Sequence, residues 1–299
     1  MANIYKYKIV IVCIGFALSL NLWAQGKESS ACNDISPLKI ERTAGGAEHY
    51  SIDYKALDIN RADYSDAFEI YMTPLDGRLY EDCTQQFIDG KISLDPQFFS
   101  CAESPVNGVL GNDFSRIEIY TYPDVVRTDS VTYAVRGRTK VKSVVRDFAG
   151  EIKIKKIYFM PDADYLDYYV IIADYSLRED TAQKDSGEFK GIFGAYGYID
   201  SAAPDLLQVD DRNSVADSYE NRTYVGTWQS YDNPNEAKRC VWGDYRLPFC
   251  FDFDIGAGDI MVNPEYKSPE WDRYMQWGDF EVIETENGER RTVYKNPWW

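Results

Sequence analysis

The sequence predicts a mainly β protein, an antiparallel sandwich or barrel-like sheet with a few short helices. Short runs of β-branched and aromatic residues recur along the chain and end at Gly, Pro, Asn or Asp. Several of these runs alternate apolar and polar residues, which is typical of strands with one face in a core. Tyrosine (24), phenylalanine (14) and tryptophan (7) are abundant, and aromatic side chains favour strands. Helical periodicity is scarce by comparison.

The N-terminal half gives the weaker strand signals. A first strand is predicted near Leu38–Arg42, after which Gly45-Gly46 interrupts the chain. Phe68–Met72 alternates and stops shortly before a proline, so it predicts a second strand. The stretch Cys83–Asn112 contains several Pro and Gly residues and is predicted to be irregular.

From residue 114 onward the strand pattern sharpens. Val131–Arg146 is rich in β-branched residues, and Ile152–Phe159 alternates Ile with Lys after the turn signal Asp147–Gly150. This pair of runs is the strongest hairpin signal in the chain. Further strands are predicted at Ile117–Tyr120, Tyr168–Leu177, Phe189–Tyr198, Thr223–Tyr231, Lys238–Tyr245 and Phe251–Val262, and short helices at Pro204–Asp211 and Pro269–Gln276.

Residues 1–25 predict a cleaved signal peptide. Lys6 and Lys8 precede an apolar run, Ile9–Trp23, which ends before the small residue Ala24. A spanning helix needs about 20 apolar residues and this run is shorter, although an uncleaved anchor is an alternative. The chain is therefore predicted to be exported, to a periplasmic, cell-surface or secreted location, with no membrane span after signal removal. Lipidation at Cys32 is a further alternative.

The remaining chain divides into two predicted regions. Residues 26–112 form an irregular, β-containing N-terminal region, and residues 113–299 form an antiparallel β domain. No internal repeat or low-complexity segment separates the two regions. A single β domain over residues 26–299 is the alternative.

The net charge of −17 narrows the classes of partner. Phosphate backbones and anionic membrane surfaces attract basic patches, so neither nucleic acid nor an acidic membrane is an expected partner. An acidic surface favours solubility, cation binding or a basic partner. The predicted partner is an unknown protein or a glycan, because exported sugar-binding proteins also use aromatic platforms.

Export would leave the cysteines Cys32, Cys83, Cys101, Cys240 and Cys250 in an oxidising compartment. Their proximity in sequence predicts the disulfides Cys83–Cys101 and Cys240–Cys250, with Cys32 left over. The chain has no Cys-x-x-Cys spacing and a single histidine, so no metal centre is predicted.

The candidate ligand-binding residues lie late in the chain. Trp242, Asp244, Tyr245 and Arg246 fall within the loop that a Cys240–Cys250 bridge would close, and a clamped aromatic loop can form a rigid recognition surface. Trp228 is the fifth candidate. The alternative is a structural loop in which Arg246 pairs with a nearby acid.

Trp228 also ends the motif Gly226-Thr227-Trp228, which is similar to the Gly-x-Trp in the first strand of lipocalin-like barrels. In that family the motif opens the barrel near the N-terminus, whereas here it lies late in the chain. The motif is therefore interpreted as strand packing.

Three groups of aspartates are candidates for weak calcium binding, the one cofactor considered. The groups are Asp162, Asp164 and Asp167; Asp210, Asp211 and Asp217; and Asp252, Asp254 and Asp259. None has the Gly and Glu spacing of an EF-hand loop, so solvated turns explain them better and no cofactor is predicted.

Signatures of catalysis are missing from the sequence. A Ser-His-Asp site would have to use His49, and neither Gly-x-Ser-x-Gly nor a phosphate-binding glycine loop is present. The leading hypothesis is an exported, non-enzymatic β protein that binds a ligand or a protein partner. One alternative is a carbohydrate-active hydrolase, whose two carboxylates the sequence does not locate. The other is a purely structural envelope protein.

Overall fold

The computed structural model describes residues 38–42, 48–52, 65–73, 80–161, 168–212, 214–216, 219–285 and 287–299. The signal segment, Cys32, Gly45-Gly46 and the aspartates Asp162, Asp164, Asp167 and Asp217 lie outside these residues. No helix in the described ranges has the length and apolar character needed to cross a bilayer.

Strands dominate the described chain, so the predicted mainly β class is confirmed. In chain order they are β1 (Leu38–Arg42), β2 (Glu48–Ile52), β3 (Glu81–Asp82), β4 (Ser93–Leu94), β5 (Val106–Leu110), β6 (Ser115–Thr121), β7 (Val126–Arg127), β8 (Thr132–Val141), β9 (Val144–Met160), β10 (Tyr168–Glu179), β11 (Gly187–Ile199), β12 (Leu206–Val209), β13 (Glu220–Ser230), β14 (Ala237–Tyr245), β15 (Phe280–Glu284) and β16 (Arg290–Tyr294). The helices are α1 (Ser65–Met72), α2 (Thr84–Ile88) and α3 (Pro269–Met275), with 3-10 turns at Pro96–Phe98 and Pro264–Tyr266.

Eight of the strands close into an antiparallel barrel, in the order β5-β6-β8-β9-β10-β11-β13-β14 and back to β5. Strands β8 and β9 form a hairpin in the predicted region, with Val141 opposite Val144. Its turn lies at residues 142–143, whereas the turn predicted at Asp147–Gly150 falls inside β9. The short strands β3, β4, β7 and β12 attach to this barrel, while β1–β2 and β15–β16 are separate two-stranded sheets.

Three further local predictions were wrong. Phe68–Met72 is helical rather than extended, because Phe68 and Met72, four residues apart, bury the same face against Gly194 of β11. The range 204–211 contains strand β12 instead of a helix. The range 251–262 holds only an isolated bridge between Asp254 and Val262. The predicted C-terminal helix is confirmed as α3, and the Ser268 side chain caps it by accepting the Trp271 N–H.

Aromatic side chains fill the inside of the barrel. The rings of Tyr224 and Trp242 stack with centroids 4.7 Å apart, and Tyr175 packs edge-on against Trp242 at 5.2 Å. Phe193 contacts Tyr224 at 4.7 Å, and Phe189 contacts Trp242 at 5.8 Å. All five rings are at most 7% exposed. The lumen of this barrel is therefore a packed core.

One end of the barrel, here called the mouth, is stoppered by residues 83–105. Phe87, Leu94, Phe98 and Phe99 of this segment belong to the same buried cluster as the lumen aromatics. Phe99 enters deepest, with its ring 4.8 Å from Tyr133 and 5.4 Å from Phe193. Residues on both sides of position 112 thus share one interior core.

A second buried cluster covers the outer face of the barrel. Val170, Ile192, Val225 and Val241 point outward from four neighbouring strands. They are covered by α1, by the loop 247–262 and by α3, whose Trp271 donates its indole N–H to the carbonyl of Phe114 at 2.7 Å. This covering layer brings the C-terminal segment beside the mouth.

Buried ion pairs hold the C-terminal segment to the barrel. Arg116 of β6 pairs with Asp279 at 2.7 Å, and Glu118 of the same strand accepts the Tyr294 hydroxyl. The ring of Trp299 stacks on Tyr120 at 4.9 Å. These contacts fix the position of residues 274–280, which form one wall of the groove described below.

The predicted disulfides are not present. Cys83, Cys101, Cys240 and Cys250 are all buried free thiols. Cys240 belongs to the interior cluster and Cys250 to the outer cluster, so their side chains lie on opposite faces of the barrel wall. The Cys101 thiol has its own partners, the carbonyl of Ile119 and the N–H of Thr121.

Candidate functional site

A groove of about 950 Å³ lies at the barrel mouth, outside the stopper. Its walls come from the stopper, from the β11–β13 connection, from the ends of β13 and β14, and from the C-terminal segment. Ligand sites are commonly concave and of this size, and barrel mouths are a frequent location for them. Since the lumen is filled with aromatic rings, this groove is the candidate site.

The floor of the groove is an ion pair between β13 and β14. The Arg222 guanidinium donates to both carboxylate oxygens of Asp244, at 2.6 and 2.9 Å. It also donates to the carbonyls of Gln97 and Ser100 in the stopper, at 2.7 and 2.8 Å. Arg222 has a φ of 44° at an irregularity in the β13–β14 register, which turns its side chain toward the mouth.

Aromatic side chains form the rim. Tyr245 is 49% exposed and meets Tyr219 edge-to-face at 5.2 Å. Trp277, on the C-terminal wall, is 65% exposed. Tyr198 and Tyr274 also line the groove. Exposed aromatic rings in a concave surface are suited to stacking against a ligand.

Two of these tyrosines are held as neutral phenols. Burial raises the pKa of Tyr219 to about 12, and nearby carboxylates add to the shift. Burial likewise raises the pKa of Tyr274 to about 12, with a further contribution from Asp259. Both side chains therefore keep their hydroxyl protons at neutral pH.

The groove also presents carboxylates that face solvent. Glu103, Asp211 and Asp259 are exposed, and their side chains form neither hydrogen bonds nor ion pairs within the described part of the chain. Asp95 differs, because its carboxylate accepts the N–H of Gln97 and caps a 3-10 turn. Three carboxylates are thus available to a ligand.

Of the five predicted site residues, the groove contains Asp244 and Tyr245. Trp242 is 2% exposed in the lumen core. Trp228 lies at the opposite end of the barrel, where its indole N–H donates to Glu179 at 3.1 Å. Arg246 pairs with Asp254, which is the structural alternative foreseen for it.

Glu179 explains the placement of Trp228. Its carboxylate accepts hydrogen bonds from Thr139 at 2.8 Å and from the N–H of Gly187 at 2.9 Å. Burial raises the pKa of Glu179, against the lowering effect of these hydrogen bonds. The Gly226-Thr227-Trp228 motif therefore packs and closes the barrel end away from the groove.

Sequence reasoning missed Arg222, Tyr219, Trp277 and the stopper. The irregularity at Asn221–Tyr224, where Arg222 lies, has no sequence signature. Trp277 directly follows the predicted helix Pro269–Gln276. Its position just after a capped helix was the sequence feature that could have indicated an exposed aromatic.

Three of the described aspartates that were candidates for calcium, Asp210, Asp252 and Asp254, have partners within the protein. Asp210 pairs with Arg212 at 2.7 Å, and Asp252 accepts the Tyr266 hydroxyl at 2.9 Å. Asp254 accepts the N–H groups of Gly256 and Met261, each at 3.0 Å. Across the described ranges, no three His, Cys, Asp or Glu side chains come together in a way that could hold a metal ion.

Comparison of the chain with protein-family models, with curated proteins and with solved structures finds no match.

Proposed function

We propose that this chain is an exported, non-enzymatic binding protein that takes its ligand in the mouth groove. The observation that carries the proposal is the contrast between the two concave parts of the barrel. The lumen is closed by aromatic packing, whereas the mouth keeps a groove with exposed rings and solvent-facing carboxylates. Such a combination of apolar surface with a few polar groups is typical of ligand sites.

The hydrolase alternative has less support. A glycosidase needs one carboxylic acid held protonated beside the scissile bond and a second carboxylate opposite it. Both oxygens of Asp244 are taken up by Arg222. Three further carboxylates of the groove, Glu103, Asp211 and Asp259, all face solvent. Glu179 and Glu220, two carboxyl groups whose pKa is raised, are not among the described lining residues.

Thermal-shift screening of the mature protein against glycans, organic cations and divalent cations tests the proposal. We expect at least one class to raise the melting temperature of the wild-type protein, and Trp277→Ala to remove that response. Tyr231→Ala is the matched control, since Tyr231 is a 36% exposed aromatic at the opposite end of the barrel. A ligand response that survives in Trp277→Ala would place binding elsewhere.

Export is tested on the full chain. We expect the exported protein to lack the signal segment and to begin at Gln25 or at the residue after it, as measured by intact mass and N-terminal sequencing. Recovery of an uncleaved chain in the cytoplasmic fraction would contradict this part of the proposal.

A further inference from the structure

We infer that the groove recognises a small organic cation of the polyamine class, an alkyl chain that carries two or more ammonium groups. This inference rests on the proposed binding function and specifies its ligand. Three features of the groove support it: its negative charge, the hydrogen bonds that occupy Arg222, and the aromatic and apolar side chains of its described walls.

The charge of the groove is strongly negative. Its described lining contains a single basic residue, Arg222, and five acidic residues, which are Asp95, Glu103, Asp211, Asp244 and Asp259. Asp244 and Arg222 neutralise each other, so four negative charges remain. A cleft lined by charges of one sign raises the local concentration of ligands with the opposite sign.

Arg222 has little capacity left for an anionic ligand. Four hydrogen bonds from its guanidinium go to Asp244, Gln97 and Ser100, and a guanidinium has five N–H groups. A carboxylate or phosphate in the groove would meet four negative charges and one occupied cation. Anionic ligands are therefore disfavoured.

The aromatic rim suits ammonium groups in particular. The faces of Trp and Tyr rings attract cations through their quadrupole, with Trp the strongest. The protein uses this contact at the edge of the groove, where the Arg212 guanidinium lies 4.4 Å from the centroid of Tyr198. Trp277 and Tyr245 offer larger exposed rings to a ligand.

Apolar side chains between the charges favour an alkyl chain over a compact cation. Val106, Val209, Ile260 and Met275 line the groove together with the aromatic rings. Methylene groups can pack on these side chains while the ammonium groups meet carboxylates. A neutral sugar could stack on the rings as well, but it would gain nothing from the four uncompensated charges.

Isothermal titration of the mature protein with spermidine tests the inference. We expect binding that weakens at least about tenfold when the salt concentration rises from about 20 to about 200 mM, because the contacts are charge pairs in partial contact with solvent. Asp211→Asn and Asp259→Asn should each weaken binding several-fold, and Trp277→Ala should do the same. Glu151→Gln removes the same charge from an exposed position on β9 outside the groove and should leave the affinity unchanged.

The remaining outcomes separate this inference from the proposed function. Equal binding of a neutral polyether of the same length, insensitive to salt but lost in Trp277→Ala, would keep the groove as a site and overturn the cation. If Asp211→Asn, Asp259→Asn and Trp277→Ala leave the affinity for spermidine unchanged, the binding is due to the general negative charge of the surface and the inference is overturned. An absence of binding by spermidine, glycans and divalent cations alike would overturn both proposals.

Discussion

Arg222 and Asp244 form a bidentate ion pair that joins two neighbouring barrel strands to the stopper. The guanidinium reaches both oxygens of Asp244 from β13, and with its other side it holds the carbonyls of Gln97 and Ser100. The two side chains are 22% and 12% exposed. The pair therefore shapes the floor of the groove and also fixes the stopper to the barrel wall.

Asp244→Asn is expected to lower the free energy of unfolding by about 3 kcal/mol, because it leaves the mostly buried guanidinium without its counter-ion. Urea unfolding followed by tryptophan fluorescence measures the change. Asp124→Asn is the matched control, since its pair with Arg136 is 47% and 65% exposed. The control should change the stability far less, because solvent screens an exposed ion pair. Equal costs for the two variants would show that the mouth pair does not stabilise the fold.

Gly226→Ala is expected to destabilise the barrel by about 2–3 kcal/mol, as overpacking of a tight contact does. A Cβ at this position would lie 2.7 Å from both the Cα of Gly191 and the hydroxyl of Tyr175. Chemical denaturation measures the free energy of unfolding of Gly226→Ala and of a second variant, Gly90→Ala. Gly90 has nothing within 4 Å of an added Cβ but has a φ of +74°, so its substitution should cost about 1 kcal/mol from backbone strain alone. A Gly226→Ala protein as stable as Gly90→Ala would contradict close strand approach.

Glu220 is expected to make stability depend on pH between about 4.5 and 7. Burial raises the pKa of Glu220 to about 7, against the lowering effects of the Tyr71 hydrogen bond and the Arg246 charge. The folded state therefore binds a proton more tightly than the unfolded state, whose carboxyl titrates near 4.5. This stabilisation is complete below about pH 4.5 and is lost as the pH rises through about 7.

Urea unfolding of wild type and Glu220→Gln at pH 5 and pH 7.5 isolates this contribution. The wild-type protein should lose about 2 kcal/mol more than the variant over this interval, after allowance for the partial exposure of Glu220. Parallel pH profiles for the two proteins would show that Glu220 titrates normally in the fold.

The four described cysteines are expected to be thiols that react only after unfolding. Burial raises the pKa of Cys250 to about 12 and also raises that of Cys101. A buried protonated thiol is a poor nucleophile. Iodoacetamide should therefore leave these sites unmodified in the native protein and modify all four in urea without reductant. Peptide mapping by mass spectrometry that recovers Cys83 linked to Cys101, or Cys240 linked to Cys250, would contradict the free-thiol structure.

Much of the barrel is predictable from the sequence because alternation and turn residues act over short distances. The alternation at Ile152 and Ile154 predicts a strand with one buried face, and both isoleucines are buried as expected. The turn predicted at Asp147–Gly150 was wrong, because these residues continue β9 and the chain turns at residues 142–143. Phe68–Met72 shows the limit of this reasoning. Five residues with apolar side chains at the first, third and fifth positions fit a strand, and also place the first and last on one face of a helix turn.

The groove was harder to predict from the sequence, because it depends on contacts between segments that are distant in the chain. Asp244 and Tyr245 were predicted because they fall between Cys240 and Cys250, whose bridge is absent. They lie at the end of β14, and Arg222 reaches Asp244 from an irregularity in β13. The disulfide prediction failed for a related reason. Cys240 and Cys250 are close in sequence, yet strand alternation and the return of the loop place them on opposite faces of the wall.

The closure of the barrel sets the order in which the chain can fold. Neighbouring strands of the barrel also follow one another along the chain, except for β5 and β14. These two strands pair Val109 with Val241 and Gly108 with Trp242, although most of the barrel sequence lies between them. Successive hairpins form early because their loops are short, whereas this last ladder requires a large loop to close. Until β14 pairs with both of its neighbours, β5 and β13 are the unpaired edges of the sheet. Unpaired edge strands can pair with strands of other chains, so a chain without the β5–β14 ladder is exposed to aggregation at these two edges.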